Sequence, residues 1–261
     1  MSETTAAPAP KAQYPGLRDQ TVFVTGGSSG IGADIVYAFT QQGARVAFTG
    51  RNAQSAAAVV AQASAVGPAP WFIPSDAADV PALQAAIAQV QAAWGAIAVL
   101  VNNVANDQRH DFAAVTADDF DARVAVNLRP HFFAAQAVAE GMRQRGGGSI
   151  INLGSTSWKI KGAGYPVYAT CKSATVGLTR SLARELGGDK IRVNTLTPGW
   201  IMTPKQLEKW VDEAGERAMD ENQCLPGRIT GADVADLALF LGSDASAMIT
   251  AQDFVIDAGW T

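Results

Sequence analysis

Tyr168 and Lys172 stand four residues apart, a spacing that puts a phenol and an ammonium on one face of a helix. A tyrosine hydroxyl with an ordinary pKa near ~10 is a poor base at neutral pH. A neighbouring ammonium favours the phenolate, so the pair predicts a general acid/base that moves a proton to or from a substrate oxygen. Ser155 lies thirteen positions before Tyr168, at the end of a strand-like run, where its hydroxyl is expected to face the phenol. Asn127 falls inside a long helical pattern just before Pro130, whose ring disturbs the local backbone ladder. Cys171 reads as a small packed residue within the Tyr/Lys helix, not a reactive thiol.

A second constellation follows the first strand-like run: Thr25-Gly26-Gly27-Ser28-Ser29-Gly30-Ile31-Gly32, and then a helix. Backbone N–H groups and the positive end of a helix would hold a phosphate there, and side chains at the turn would keep it away. Gly26, Gly30 and Gly32 would permit the turn, the pyrophosphate approach and close helix packing, with Ser28, Ser29 and Ile31 completing the cradle. The second strand ends at Gly50-Arg51-Asn52. A carboxylate at that strand end would hold the ribose 2′-hydroxyl of NAD and repel the 2′-phosphate of NADP. Gly50 leaves the place empty and Arg51 offers a fork of donors, which predicts NADP, with NAD also accepted. Asp76, ending the third strand, either accepts from the adenine amino group or caps the next helix. Asn52 and Asn103 are expected on the same coenzyme surface.

These groups need rigid elements behind them. Short apolar runs at 21–25, 45–49, 71–73, 97–102, 149–153, 191–196 and 253–256 have the length and Val/Ile content of buried parallel strands. Helical spacing fills 32–42, 79–94, 118–143 and 167–186, and Ala clusters at 56–65 and 85–93 read as helix faces. Alternating strands and helices predict an α/β fold: a doubly wound parallel sheet with helices on both faces. Residues 1–17 are expected to be a flexible tail and 18–261 one domain. The stretch at 198–231, with a helix around 206–222, suits a substrate lid.

Composition narrows the function. The 261 residues carry a net charge of −4, which argues against a nucleic-acid binder. Two cysteines, Cys171 and Cys224, and two histidines, His110 and His131, lack metal-ligand spacing, so no metal is expected. No apolar run approaches the ~18 residues of a membrane span, and the N-terminus lacks the pattern of a signal peptide. A cytoplasmic protein is expected. Charged residues at 17% agree either with a surface partly covered by other copies of the chain or with an Ala-rich composition alone.

The glycine turn, Asn102-Asn103, Asn127, Ser155, Tyr168 with Lys172, and Pro198-Gly199, in that order, resemble the short-chain dehydrogenase/reductase family over residues 18–261. The resemblance implies a seven-stranded Rossmann sheet, usually assembled as a homotetramer. It implies that Tyr168 is the acid/base, and that Lys172 lowers its pKa and binds the nicotinamide ribose. Ser155 would orient the substrate oxygen and Asn127 would hold a water in a proton relay. Pro198, Gly199, Ile201 and Thr203 would meet the nicotinamide end. One departure is Asn102-Asn103-Val104-Ala105: Ala105 adds a methyl where the family uses glycine, which opens the question of the local backbone beside the coenzyme.

The segments on the substrate side mix polar groups with Trp faces: Asn106, Asp107 and His110; Ser157 and Trp158; Trp200; Gln206 and Trp210. A sugar, with hydroxyls at its rim and an apolar C–H face, suits such a pocket better than an acyl chain or steroid. The pattern is similar to the bacterial aldose 1-dehydrogenases of the family, which implies oxidation of a pentose or hexose at C1. Structural roles stay open: His110 could cap a helix, Asp107 and Arg109 could form a surface ion pair, and Trp158, Trp200 and Trp260 could be packing or subunit anchors. Two other readings stand beside this one, a carbonyl or 3-oxoacyl reductase and a non-catalytic nucleotide-binding regulator.

Overall fold

The seven apolar runs form one parallel sheet in the order β3-β2-β1-β4-β5-β6-β7. The computed structural model describes residues 12–261, so the tail expected before residue 12 lies outside the described residues. The strands are β1 (Thr21–Thr25), β2 (Arg45–Gly50), β3 (Trp71–Pro74), β4 (Val99–Asn102), β5 (Gly148–Leu153), β6 (Ile191–Pro198) and β7 (Asp253–Ile256). Because successive side chains point to opposite faces, each central strand feeds two cores. Val22 and Val24 of β1 pack with Ile35, Phe39, Val234 and Leu239 on one side, and Phe23 packs with Leu83, Ile87, Val138 and Met142 on the other. The covering helices are α1 (Gly30–Gln41), α2 (Ala53–Ser64) and α9 (Gly231–Gly242) on the first face, and α3 (Val80–Trp94), α5 (Arg129–Arg145) and α6 (Pro166–Leu186) on the second.

The helix expected over 118–143 is two helices, α4 (Ala117–Asn127) and α5. Leu128 between them has φ −130° and ψ −48°, and Pro130 takes the second position of α5. A proline has no N–H to continue the ladder but is well placed in a first turn, so it restarts the helix. The helix expected over 206–222 is likewise two, α7 (Pro204–Lys209) and α8 (Glu213–Asn222), with the Asp212 side chain accepting from Gly215 N at 2.8 Å to start the second. Helix α9, which the sequence reading passed over, begins at a capping box of Thr230 and Asp233.

The domain begins earlier than residue 18. Pro15–Leu17 form a 3₁₀ turn whose Leu17 is 2% exposed within the first core. The Gln42 side chain grips the approach, accepting from Tyr14 N at 2.8 Å and donating to Ala12 O at 3.0 Å. Leu17→Ala should therefore lower unfolding free energy by about 3 kcal/mol, the cost of a core leucine truncation. Urea denaturation measures it, and a loss below about 1 kcal/mol would place this segment outside the core.

Candidate active site

In a doubly wound sheet the ligand crevice opens outside the carboxyl ends of the strands, where neighbouring connections diverge. Here that point lies between β1 and β4, and a cleft of about 1220 Å³ opens there. Asn103 closes its floor: its side-chain amide donates to Thr25 O at 3.1 Å and Gly26 O at 2.9 Å, and its own N–H reaches Thr25 Oγ1 at 3.0 Å. Gly26 has φ +70°, and a Cβ on Gly32 would lie 2.2 Å from Gly26 O, so both positions need glycine.

One arm of the cleft is lined by Gly26, Ser28, Ser29, Gly30, Ile31 and Gly32, with Arg51, Asp76 and Asn103 beyond them and Pro198, Gly199, Ile201 and Thr203 opposite. No side chain caps the start of α1, so the donors of its first turn are free to meet an anion. That uncapped turn, bordered by glycine and facing the cleft, fits a pyrophosphate. At the far end Arg51 is exposed, with its guanidinium 3.8 Å from the Asp76 carboxylate. A Cβ on Gly50 would come within 2.6 Å of Ser28 Oγ, so the place where an acidic residue would reject a 2′-phosphate is filled from behind. Asp76 also accepts from Ala78 N at 3.0 Å, whereas the cap of α3 comes from Asp79. Asn52, expected on the coenzyme surface, caps α2 by accepting from Ser55 N and lies outside the cleft lining.

The other arm gathers Ser155, Ser157, Tyr168 and Lys172 with Asn106, Asp107, Trp200, Gln206 and Trp210. Ser155 follows β5 and Tyr168 sits in the first turn of α6, so strand and helix bring the two together. Lys172 is 1% exposed; its ammonium donates to Leu153 O at 2.7 Å and lies 5.7 Å from the centre of the Tyr168 ring. Burial lowers its pKa from 10.5 to about 8. The same burial pushes the Tyr168 phenol well above its ordinary value, opposed by a hydrogen bond with Ser155 and reinforced by the charge of Asp107. The Lys172 ammonium, expected to favour the phenolate, does not by itself offset this burial.

Asn127 lies outside the cleft lining and is fully buried at the end of α4. Its side chain clamps the loop after β4, with Oδ1 accepting from Asn106 N at 2.8 Å and Nδ2 donating to Asn106 O at 3.2 Å. The His131 amide donates to Leu128 O, a consequence of the restart at Pro130. Ala105 has no positive φ, so its methyl is accommodated in ordinary backbone. Two expected substrate groups stand apart. His110 is absent from the cleft lining and donates its amide to Gly164 O at 2.7 Å; Trp158 opens onto a separate shallow surface beside Lys161 and Thr170. Asp107 pairs with Lys205 and not with Arg109, whose guanidinium lies 4.4 Å from the centre of the Trp210 ring.

The sequence reading missed Tyr165 and Lys205, both on the cleft wall. Tyr165 meets Tyr168 edge-on at 6.3 Å, and its place three residues before Tyr168 at a helix start was a visible signal. Lys205 had none. Among the described residues, no group of His, Cys, Asp and Glu is placed to hold a metal, and no helix is long and apolar enough to cross a membrane.

The lowered pKa of Lys172 has a stability consequence. Between about 8 and 10.5 the unfolded chain binds the proton that the native site has released, so native stability gains as pH rises through that window. Relative to Lys172→Met, the wild type should gain about 3 kcal/mol from pH 8 to 10.5, with a flat difference below pH 8. Paired urea titrations read this difference, and one that does not change with pH would contradict the buried ammonium.

Comparisons with known proteins agree with this geometry. A family model described as enoyl-(acyl carrier protein) reductase matches residues 26–261. The chain is 46% identical over 251 residues to a probable galactose dehydrogenase of Rhizobium meliloti, covering 96% of this chain and 98% of that one. It is 43% identical over 249 residues to the D-xylose 1-dehydrogenase of Caulobacter vibrioides, covering 95% and 98%. A short-chain dehydrogenase/reductase from Serratia marcescens superposes with a TM-score of 0.87 at 34% identity, covering 94% and 99%. A blue fluorescent protein from a metagenomic library, solved with NADPH, does so with 0.86 at 35% identity, covering 94% and 99%. With its glycine turn and its Ser155, Tyr168 and Lys172 on one cleft, the chain belongs to the short-chain dehydrogenase/reductase family.

Proposed function

We propose that the chain oxidises an aldose, a pentose or hexose of the arabinose, xylose or galactose type, at C1 to the aldonolactone, using NADP with NAD also accepted. The observation that carries this reading is near-full-length similarity to a probable galactose dehydrogenase and a D-xylose 1-dehydrogenase. The cleft supports it: Trp200 and Trp210 offer faces for a sugar's C–H side, and Ser155, Ser157 and Asn106 offer polar edges for its hydroxyls. A 3-oxoacyl reductase would want an apolar funnel there, and this wall carries Asp107, Lys205 and Gln206 instead.

When bound, the oxidised nicotinamide supplies the hydride acceptor. Ser155 holds the C1 oxygen, and Tyr168 as phenolate takes the C1 hydroxyl proton while the C1–H electron pair leaves as hydride and C1=O forms. Lys172 would support the phenolate and hold the nicotinamide ribose, and Pro198, Gly199, Ile201 and Thr203 would hold the nicotinamide end. The Asn127 clamp on Asn106 keeps the loop after β4 in register with the substrate arm. Arg51 would hold the 2′-phosphate, and its nearness to Asp76 would temper that preference, which favours use of both coenzymes.

The reading includes a cytoplasmic homotetramer. Exposed Phe112, Phe120, Phe132, Trp158, Ile160 and Val255 support burial against other copies.

Initial rates for a panel of aldoses crossed with NAD and NADP test this directly, with a ketone and an acyl thioester as controls. Aldoses should outrun both controls; turnover confined to the ketone or thioester would overturn the reading. Tyr168→Phe should lose at least about 100-fold in kcat while still binding NADPH. Arg51→Ala should cut kcat/KM for NADP about tenfold or more and leave NAD within about twofold. Equal loss with both coenzymes would remove Arg51 from phosphate recognition.

A further inference from the structure

A chain of polar contacts joins the loop after β4 to α7, and none of the steps above uses it. The two carboxylate oxygens of Asp107 are divided between two partners: Oδ2 accepts from Gln206 Nε2 at 2.7 Å, and Oδ1 pairs with the Lys205 ammonium. Gln206 Oε1 accepts from the Trp200 indole N–H at 3.0 Å, and Trp200 packs against Trp260 with ring centres 6.2 Å apart. Beyond the last turn of α7, Trp210 is covered by Arg109 of the same loop. One loop thus holds both ends of α7.

A helix of six residues has little stability of its own, so its position depends on such contacts. The Asp107 pair is only partly exposed. Burial acts to raise the Asp107 carboxyl, but the hydrogen bonds and charge of Lys205, with the bond from Gln206, outweigh it and hold the group below its ordinary value. Asp107 is therefore a carboxylate throughout the neutral range. Gln206 suits the middle of the chain because its amide has a donor end for Asp107 and an acceptor end for Trp200. Asp107 and Gln206, both expected to grasp sugar hydroxyls, are thus already paired with groups of the protein.

Resting on the aldose reading, we propose that Asp107 and Gln206 are positioning residues, a latch that fixes α7 and Trp200 over the sugar site, and not ligands of the sugar.

The latch has a reciprocal test. Gln206→Glu keeps the acceptor towards Trp200 but turns a carboxylate against Asp107. Adding Asp107→Asn restores one donor and one acceptor with their direction reversed. Gln206→Glu should raise the sugar KM about tenfold or more, with the loss falling on KM and not on kcat. Hydrogen exchange of backbone amides at 204–222, followed without sugar, should quicken in the same variant. The double variant should bring both readouts to within about threefold of the wild type. Exchange unaltered in Gln206→Glu would overturn the latch. So would a double variant no better than the single one in KM, the result expected if Asp107 itself binds sugar. If the wild type oxidises no aldose, the functional reading fails, and the exchange comparison still decides the latch.

Discussion

The divergence of connections between β1 and β4 constrains everything else in the molecule. All seven strands are parallel, so their carboxyl ends share one edge, and at this switch the flanking loops part to leave a crevice. Asn103 bridges it by bonding the carbonyls of Thr25 and Gly26 from the end of the neighbouring strand. That stitch fixes the glycine turn relative to β4. It also fixes the loop that carries Asn106 and Asp107, and through them the Asn127 clamp and α7. Coenzyme arm and substrate arm are held in register by a single amide and the strands it joins.

Burying Lys172 is costly, and the cost is where the chemistry sits. An ammonium 1% exposed, bonded to Leu153 O, has its pKa lowered by desolvation, and the Tyr168 phenol beside it is raised by the same cause. Groups whose environments oppose their charged forms respond strongly when an opposite charge arrives. The positive ring of an oxidised nicotinamide at this site would favour the phenolate that the oxidation needs. The fold tolerates the penalty because two apolar cores, one on each face of the sheet, hold the strand ends rigid.

Much of this was legible in the chain. Short apolar runs marked all seven strands: central ones such as β1 and β4 are buried on both faces, and the edge strands β3 and β7 are covered only in part. The order of the glycine turn, Ser155, Tyr168 and Lys172 marked the site. Other features depended on partners far off in sequence. Pro130 announced a disturbance, but whether a helix bends or restarts there is settled by packing, and it restarts at Arg129. Asp107 finds Lys205 across 98 positions, a pairing that no local spacing encodes. Asn52 was expected on the coenzyme surface, and its side-chain oxygen also caps α2, a role that an asparagine just before a helix commonly takes. Leu17 looked like tail beside Pro15 and Gly16, although a short turn is enough to bring one leucine into a core.

The central claim is that this cleft removes hydride from C1 of an aldose. An aldose carrying deuterium only at C1 tests it most directly, with the reduced coenzyme examined by NMR and rates compared with the unlabelled sugar. Deuterium is expected at C4 of the nicotinamide, with a slower hydride step and an aldonolactone free of label. Reduced coenzyme without deuterium, and a sugar product that keeps it at C1, would contradict the account.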